Sequence, residues 1–437
     1  MVSNVDAVAR MSARLDAQLP ALGVLDQYFA GTQPMSFLSA EAREALGNRL
    51  RALSVNFAAM TVTAITERLR VEGFRSGDEA TATRLWEAWE RSDMGEGQHL
   101  VHTDALAMSR SFVAVWAGAD GQAVVSPESA REVTVERDPV TREVMAALKR
   151  WTADGHGHAV LFTPSRITRY VSKSGVPEGG MIPATGWSAT DSQANVLGVV
   201  PVVPFVNRGR LLDVDGVSEM TPVLDLVDAL NKLSADLMVS SEFFARPKRW
   251  VSGLEIEEDE EGNPINPFPR DSLRMLQSES PDTKFGQFPG ASLDGYSSAV
   301  SIITSQIGAL SGLPPHYLGV HGDQPASADA IRSSEASLVA KCTARQRTFS
   351  RAWGQVAALV SQVETGRSPG RVEPVWASPE TRTPAQAADA AAKLVTAGIV
   401  PTEQALDDLG YSPEQIADMR SMRLREVMTT AMRGDTA

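Results

Sequence analysis

The 437-residue sequence contains a single cysteine, Cys342. One thiol cannot pair within a chain, so the sequence excludes an intrachain disulfide and a cysteine-based zinc cluster. Cys342 falls in an apolar helical register, which predicts a buried thiol rather than a reactive one.

Long hydrophobic runs are also missing. The longest, LGVVPVVPFV at 197–206, is too short to span a bilayer and contains Pro201 and Pro204. The first twenty residues mix acids with arginines and lack an apolar core of secretory type. We therefore predict no membrane segment and a protein that stays in the compartment where it is made.

Positive charge is in deficit. The chain has 54 acidic and 41 basic residues, which gives a formal net charge of -13. Such a balance argues against a surface that neutralises nucleic-acid phosphates throughout, but it is compatible with a local basic patch. With 43% hydrophobic and 22% charged residues, the composition is that of a folded, globular protein.

The sequence has no GxSxG elbow, no GxxxxGK[ST] loop and no HExxH helix. His99 and His102 could share one helix face, but Asp104 is the nearest further ligand, and LLDVDG at 211 lacks the glutamate that would complete a calcium loop. We predict no enzyme, no cofactor and no metal. A metal hydrolase using His99 and His102 is an alternative that would require bound metal in stoichiometric amount.

The first half of the chain changes from helical to β-rich patterning. Apolar spacing predicts helices over 40–70, 81–91 and 96–109. Short β-rich runs separated by turn residues follow over 111–171, and they predict an antiparallel meander. Residues 172–196 are interpreted as an exposed loop or a ragged hairpin.

Helical periodicity returns over 219–245, 292–310 and 327–365, and the first two of these stretches flank a polar, proline-rich insert. Two apolar helices with a polar tip predict a hairpin that projects from a body. An isolated helix pair buries only part of its apolar surface, so neighbours along its sides would stabilise it. The pattern therefore favours a ring. Beyond 367 we expect a linker and a helical tail.

Basic side chains concentrate in two places. FFARPKRW, at 243–250, suits a phosphate backbone or an acidic partner surface, and side chains snorkelling at a helix end are the alternative. The third long helix carries further cations, which we expect to form intersubunit salt bridges: Lys341, Arg345, Arg347 and Arg351.

Four stretches together resemble the portal proteins of tailed bacteriophages, in particular those of long-tailed phages that infect actinobacteria. They are LSAEAREALGNRLRALSVNF, LGVVPVVPFVNRGRL, SEMTPVLDLVDALNKLSADLMVSSEFFARPKRW and SGLPPHYLGVHGDQPASADAIRSSEASLVAKCTARQR. The resemblance covers roughly residues 25–365 and none of its motifs is catalytic.

The resemblance implies an α+β portal fold. Its parts would be a mixed helix and antiparallel-sheet wing (1–218), a first stem helix (219–245), a small α/β clip (246–291), a second stem helix (292–312), a tunnel loop (313–327), a long wing helix (328–366) and a helical crown (367–437).

By the same resemblance, about twelve copies would form a ring at one capsid vertex of the virion, after assembly in the host cytoplasm. Double-stranded DNA would pass through the ring, and the partners would be the terminase large subunit, a head-tail adaptor protein and the major capsid protein, with no membrane. The alternative is another phage head protein, such as a minor head or connector protein.

Two sets of site residues follow from the resemblance. The tunnel loop would place these residues in the DNA channel: Pro314, Pro315, His316, Tyr317, His321 and Gln324. The clip would use a second set for partner docking: Arg246, Lys248, Arg249 and Trp250.

Overall fold

The computed structural model describes residues 4–34, 55–177, 179–244, 249–253, 281–287, 294–319, 327–380, 384–411 and 413–434. The chain divides into two compact units, residues 1–378 and 379–437.

Helices of the first unit lie at both ends of its sequence. They are α1 (Asn4–Ala30), α2 (Phe57–Thr66), α3 (Glu79–Arg91), α4 (Met94–Ala107), α5 (Leu224–Phe244), α6 (Asp294–Ser311) and α7 (Ala328–Thr365), with 3₁₀ turns at Thr221–Val223 and Pro315–Leu318. The second unit contains α8 (Pro384–Thr396), α9 (Thr402–Asp408) and α10 (Pro413–Gly434).

The described strands all belong to the first unit and pair antiparallel. They are β1 (Val71–Arg75), β2 (Arg110–Ala117), β3 (Ala123–Glu128), β4 (Val133–Arg137), β5 (Val144–Ala153), β6 (His156–Phe162), β7 (Arg166–Gly175), β8 (Trp187–Ala194), β9 (Val202–Val206), β10 (Arg249–Ser252), β11 (Lys284–Gln287) and β12 (Glu373–Trp376).

The meander predicted over 111–171 is confirmed for β4 to β7, which lie in the five-stranded sheet β4-β5-β6-β7-β8, where each strand pairs with the next along the chain. The first two predicted runs, β2 and β3, belong to a different sheet. Residues 172–196 contain the end of β7 and all of β8, so the hairpin interpretation is the correct one. A second sheet has the order β3-β2-β9. Its central strand, β2, shows no alternation of buried and exposed side chains, because Phe112, Val113 and Val115 are all buried.

Helices predicted over 81–91 and 96–109 are confirmed as α3 and α4. The helix predicted over 40–70 is only partly correct, because the described part begins at Phe57 and ends at Thr66, while residues 40–54 lie outside the described residues. Asn56 starts α2 by accepting a hydrogen bond from the Ala59 backbone amide at 3.0 Å.

One helix has no counterpart among the sequence predictions. In α1, Val8 and Met11 pack against Leu148, Leu161 and other side chains of the five-stranded sheet. Ion pairs fix the same helix at its rim, including one between Arg150 of β5 and Asp16. The helix therefore serves as a lid over one face of the meander.

A linker and then a helical tail were expected beyond residue 367, and the linker is in part a strand. Residues 373–376 form β12, which pairs with β1, and the Trp376 indole donates to Ser350 Oγ at 2.8 Å. Pro374 and the apolar side chains at 372, 375 and 376 suit an edge strand better than a helix. Described helix begins again only at Pro384.

The core of the first unit centres on Trp353 of α7, which is fully buried. Its ring lies 4.6 Å from that of Phe205 and 4.8 Å from that of Trp89, in edge-on geometry. Such aromatic contacts add to the free energy gained by burying the ring area. Trp353 thereby joins the long helix to α3 and to the sheet strand β9.

His102 is a structural residue of this core. Its Nδ1–H donates to the Leu69 carbonyl at 3.1 Å, and its Nε2 accepts the Trp353 indole N–H at 3.0 Å, which defines a neutral tautomer. Burial lowers the pKa of His102 to about 3. The metal-site alternative therefore loses one of its two histidines, since both ring nitrogens of His102 are occupied.

Because the pKa of His102 rises from about 3 in the folded chain to 6.5 once exposed, the unfolded state binds the extra proton between these values. We expect the free energy of unfolding to fall by about 1.4 kcal/mol per pH unit as the pH decreases through this window. The measurement is urea unfolding of the wild type and His102→Gln at several pH values. His99→Gln, at an exposed position, should keep the wild-type slope, and parallel curves for His102→Gln and wild type would contradict the assignment.

Candidate functional site

Helices α5 and α6 pack antiparallel as a hairpin. Ser240, near the end of α5, and Tyr296, near the start of α6, share a hydrogen bond of 3.3 Å between their hydroxyls. Ile307 and Val227 are buried toward the body of the first unit. Leu310 closes the apolar period predicted over 292–310 but is 53% exposed, and the apolar side chains of Ile302 and Met238 are exposed as well.

The end of α6 is fixed by turn chemistry. Gly312 adopts φ +72°, and a Cβ there would lie 2.8 Å from Ser337 Oγ. Pro314 is extended with ψ 149°, Pro315 opens the 3₁₀ turn, and Gly319 ends it with φ +69°. These prolines and glycines therefore end α6 and turn the chain at this point.

The structure places four of the six predicted channel residues in or beside this turn. Pro314 is buried, Pro315 and His316 are exposed, and Tyr317 is half-buried. His321 and Gln324 lie outside the described residues.

A buried ion pair anchors the turn to the rest of the first unit. Arg68, just after α2, pairs with Glu335 of α7 at 3.0 Å, and its Nη2 also donates to the Tyr317 hydroxyl at 3.2 Å. Burial lowers the pKa of Arg68, but the hydrogen bonds with Tyr317 and Glu335 outweigh that effect and raise the pKa above its ordinary value. His316 Nε2 stands 3.7 Å from the same Glu335 carboxylate.

A second group of charges ties both ends of the hairpin to α7. Glu219, just before α5, accepts from Arg345 Nε at 2.7 Å and from Asn207 Nδ2 at 3.1 Å. Lys341 Nζ donates to the Ser311 carbonyl at 2.6 Å and lies 3.9 Å from Glu219. A cation at the carboxyl end of α6 also interacts favourably with the helix dipole.

These contacts correct one prediction. Lys341 and Arg345 were expected in intersubunit salt bridges, whereas both bind within the chain. The reason is that Glu219 is buried beside them and needs positive partners. Arg347 and Arg351 are exposed on the same helix.

A cavity of about 340 Å³ opens beside the turn. Gly308 forms part of its wall, and a Cβ there would lie 2.6 Å from Leu318 Cδ1. Leu313, Pro315 and Ser337 line the remainder with others. The 3₁₀ turn thus stands against a recess instead of filling it.

The predicted docking residues lie at the tip of the hairpin. Arg246 and Lys248 are outside the described residues, and Arg249 is described for its backbone only. Trp250 is 41% exposed and stands opposite Gly286 on β11, where the missing side chain leaves room for the indole. The two short strands form a ribbon of their own.

The anchoring residues Arg68, Glu219 and Glu335 were missed by the sequence reasoning. Glu335 offered a signal, because it occupies a position between Ile331 and Leu338 that falls on the apolar stripe of α7. A charge at such a position predicts a buried pair. Its partner Arg68 is distant in sequence and carries no local signal.

Within the described ranges, no group of three or more His, Cys, Asp or Glu side chains is arranged to hold a metal ion. Within the same ranges, no helix is both long and apolar enough to cross a membrane. The predicted burial of Cys342 is confirmed, and that burial raises the pKa of its thiol to about 11.

The fold defines the class of protein first. A chain from the neck of an empty gene transfer agent particle, computed with C6 symmetry, aligns with a TM-score of 0.50 at 12% sequence identity. The alignment covers 88% of this chain and 97% of that one. The mixed helices and antiparallel sheets therefore resemble the fold of that neck chain.

Sequence comparison narrows the class to a family. The model of the phage portal protein family, SPP1 Gp6-like, matches residues 9–423. The portal protein of Mycobacterium phage L5 is 32% identical over 391 residues, which cover 84% of this chain and 78% of that protein. That of Mycobacterium phage D29 is 32% identical over 390 residues with the same coverage. The chain belongs to the phage portal protein family, as its resemblance to portals of actinobacterial phages predicted.

Glu335→Gln removes the carboxylate from a buried pair, so we expect the free energy of unfolding to fall by about 3 kcal/mol. Tyr317→Phe removes one acceptor of Arg68 and should cost about 1 kcal/mol. Urea unfolding at neutral pH measures both. Glu72→Gln is the matched control, because its pair with Arg70 is exposed and should contribute about 0–1 kcal/mol. Equal losses for Glu335→Gln and Glu72→Gln would contradict the anchoring role.

Proposed function

We propose that this chain is the subunit of a portal ring of about twelve copies at one vertex of a phage capsid. Double-stranded DNA would enter and leave the particle through the centre of the ring. The terminase large subunit, a head-tail adaptor and the major capsid protein would bind its outer surfaces. Assembly would take place in the host cytoplasm.

The observation that carries the proposal is the exposed apolar surface of the α5/α6 hairpin in a chain of this family. Leu310, Ile302 and Met238 face solvent in a single chain. Side-by-side packing of hairpins would cover such side chains. The related gene transfer agent neck was computed with C6 symmetry, which a ring of twelve also satisfies.

Charge supports a channel role over tight DNA binding. Each chain carries a formal net charge of -13, so a ring is strongly acidic. Sustained phosphate contacts release counterions and bind DNA firmly, whereas an acidic channel lets it slide. A structural protein of this kind needs no catalytic group. The motor that drives DNA into the particle would be the terminase.

Within the predicted tunnel loop, the contacts divide the residues into two roles. Pro314 is buried and the Tyr317 hydroxyl binds Arg68, so we assign both to anchoring. His316 is exposed beside them. We therefore assign DNA contact to His316 together with His321 and Gln324.

At the hairpin tip, we assign partner docking to Trp250 together with Arg246, Lys248 and Arg249. An exposed tryptophan beside cations is typical of binding sites for acidic partner surfaces. Trp250 is 41% exposed in the single chain.

Mass photometry and negative-stain microscopy of the purified protein test the ring directly. From 46.9 kDa per chain, about twelve copies give particles of about 560 kDa with a central hole. A population that stays monomeric or dimeric at micromolar concentration, even with capsid protein present, would contradict the proposal.

Deleting residues 320–326 should leave ring formation intact, since the Arg68, Tyr317 and Glu335 anchor lies outside the deletion. We expect fewer DNA-filled heads when the deleted chain replaces the wild type in phage assembly, measured by electron microscopy of heads and by their DNA content. A Gly/Ser linker of equal length at 320–326 is the control that separates loop length from the chemistry of His321 and Gln324. Wild-type numbers of filled heads from the deletion would refute the loop assignment.

A further inference from the structure

Positive charge gathers at one place in this acidic chain. Five arginines are close enough for their charges to act on one another, and we call them the arginine cluster: Arg14, Arg110, Arg137, Arg208 and Arg351. They come from α1, β2, β4, the loop after β9 and α7. Asp215 lies among them, with Arg14 and Arg110 bound to it.

Asp215 is already occupied. It pairs with Arg14 at 3.0 Å and accepts from Gln18 Nε2 at 3.2 Å. Its backbone carbonyl accepts from Arg110 Nη1 at 3.1 Å, and Arg110 also donates to Gln18 Oε1 at 2.6 Å. One carboxylate therefore serves a network that contains several cations.

The remaining three arginines have no such partner. Within the described ranges, Arg137, Arg208 and Arg351 form neither an ion pair nor a side-chain hydrogen bond. Arg137 is half-buried, and its desolvation, with the nearby charge of Arg208, lowers its pKa to about 10. Arg14 and Arg351 act in the same direction, and Asp215 opposes them only in part. Cations grouped in this way are destabilising unless an anion neutralises them.

Exposed apolar side chains adjoin the cluster. Arg208 begins a loop in which Leu211 is 82% exposed and Leu212 is 90% exposed. Arginine beside apolar side chains is the composition of a protein interface. A DNA backbone would offer phosphates to the arginines but no apolar surface to the leucines.

We propose that the arginine cluster and Leu211 and Leu212 form the contact surface for a second copy of this chain, which places a carboxylate between the guanidinium groups. Arginine binds carboxylates with two parallel hydrogen bonds, so Arg137 and Arg208 suit this ligand. Every copy carries 13 more acidic than basic residues and can supply it.

Ring geometry agrees with this assignment. Subunits of a closed ring meet through two different surfaces, so a basic surface on one copy faces another region of its neighbour. The inference therefore rests on the proposed ring and names one side of its interface.

Cross-linking tests the contact with little disturbance of the fold. Leu212→Cys is labelled with benzophenone maleimide and irradiated in the assembled state, and the buried Cys342 should stay unlabelled because its thiol pKa is about 11. We expect covalent dimers on a denaturing gel and cross-linked peptides that contain acidic residues of the neighbour. Met181→Cys, at another exposed loop position, is the control for random collision.

Charge reversal tests the cluster itself. Arg137→Glu/Arg208→Glu should lower the ring fraction by about tenfold or more at equal concentration, measured by mass photometry. Arg169→Glu/Arg423→Glu makes the same change in net charge at other exposed positions and should assemble as the wild type does. Circular dichroism checks that both variants are folded. If Arg137→Glu/Arg208→Glu is not folded, the Leu212→Cys cross-linking experiment decides whether the surface is a contact between copies.

The outcomes separate this inference from the ring proposal. Wild-type rings without a Leu212→Cys cross-link between copies would overturn the inference and leave the ring standing. Normal rings from Arg137→Glu/Arg208→Glu, with lower DNA retention instead, would also overturn it. Failure of the wild type to form rings would overturn both.

Discussion

The indole of Trp353 holds the first unit together. It lies between rings from α3 and β9 and donates its N–H to His102, which in turn donates to the Leu69 carbonyl just after α2. Because α7 is one continuous helix, this contact also fixes Glu335, about 27 Å away along the axis. The position of the loop turn therefore depends on a buried aromatic contact several helical turns from it.

Two buried carboxylates connect α7 to the α5/α6 hairpin and to the turn that follows it. Glu335 meets Arg68 and, through it, the Tyr317 hydroxyl, while Glu219 meets Arg345 and lies near Lys341. A buried charge without its partner is costly, so each pair admits few alternative arrangements. The entry of α5 and the exit of α6 are consequently held to one helix. In the proposed ring, a loop held at a defined radius would need such a fixed base.

Periodicity predicted the long helices and the meander, because one-sided burial imposes a 3.6-residue or two-residue repeat. It located Trp353, Phe349 and Cys342 on the buried stripe of α7. It missed α1, whose apolar positions lie among many charges, and β12, whose partner strand β1 is some three hundred residues away in sequence. For the site, the prolines and glycines marked the turn, but the ion pairs that hold it come from distant segments and leave no local pattern.

The charged residues that the structure describes fall into two groups, those paired within one chain and those left without an ion pair inside it. Inside the first unit, the buried acids Glu335 and Glu219 pair with Arg68, just after α2, and with Arg345 of α7, so the fold itself uses several basic residues. The arginine cluster is the exception, since Arg14 pairs with Asp215 whereas Arg137, Arg208 and Arg351 form no ion pair within the described ranges. In the proposed ring, the surplus of acid over the whole chain and the local surplus of base would balance where copies meet. Assembly would then neutralise the cluster, while the remaining surface would keep the negative charge that lets DNA slide.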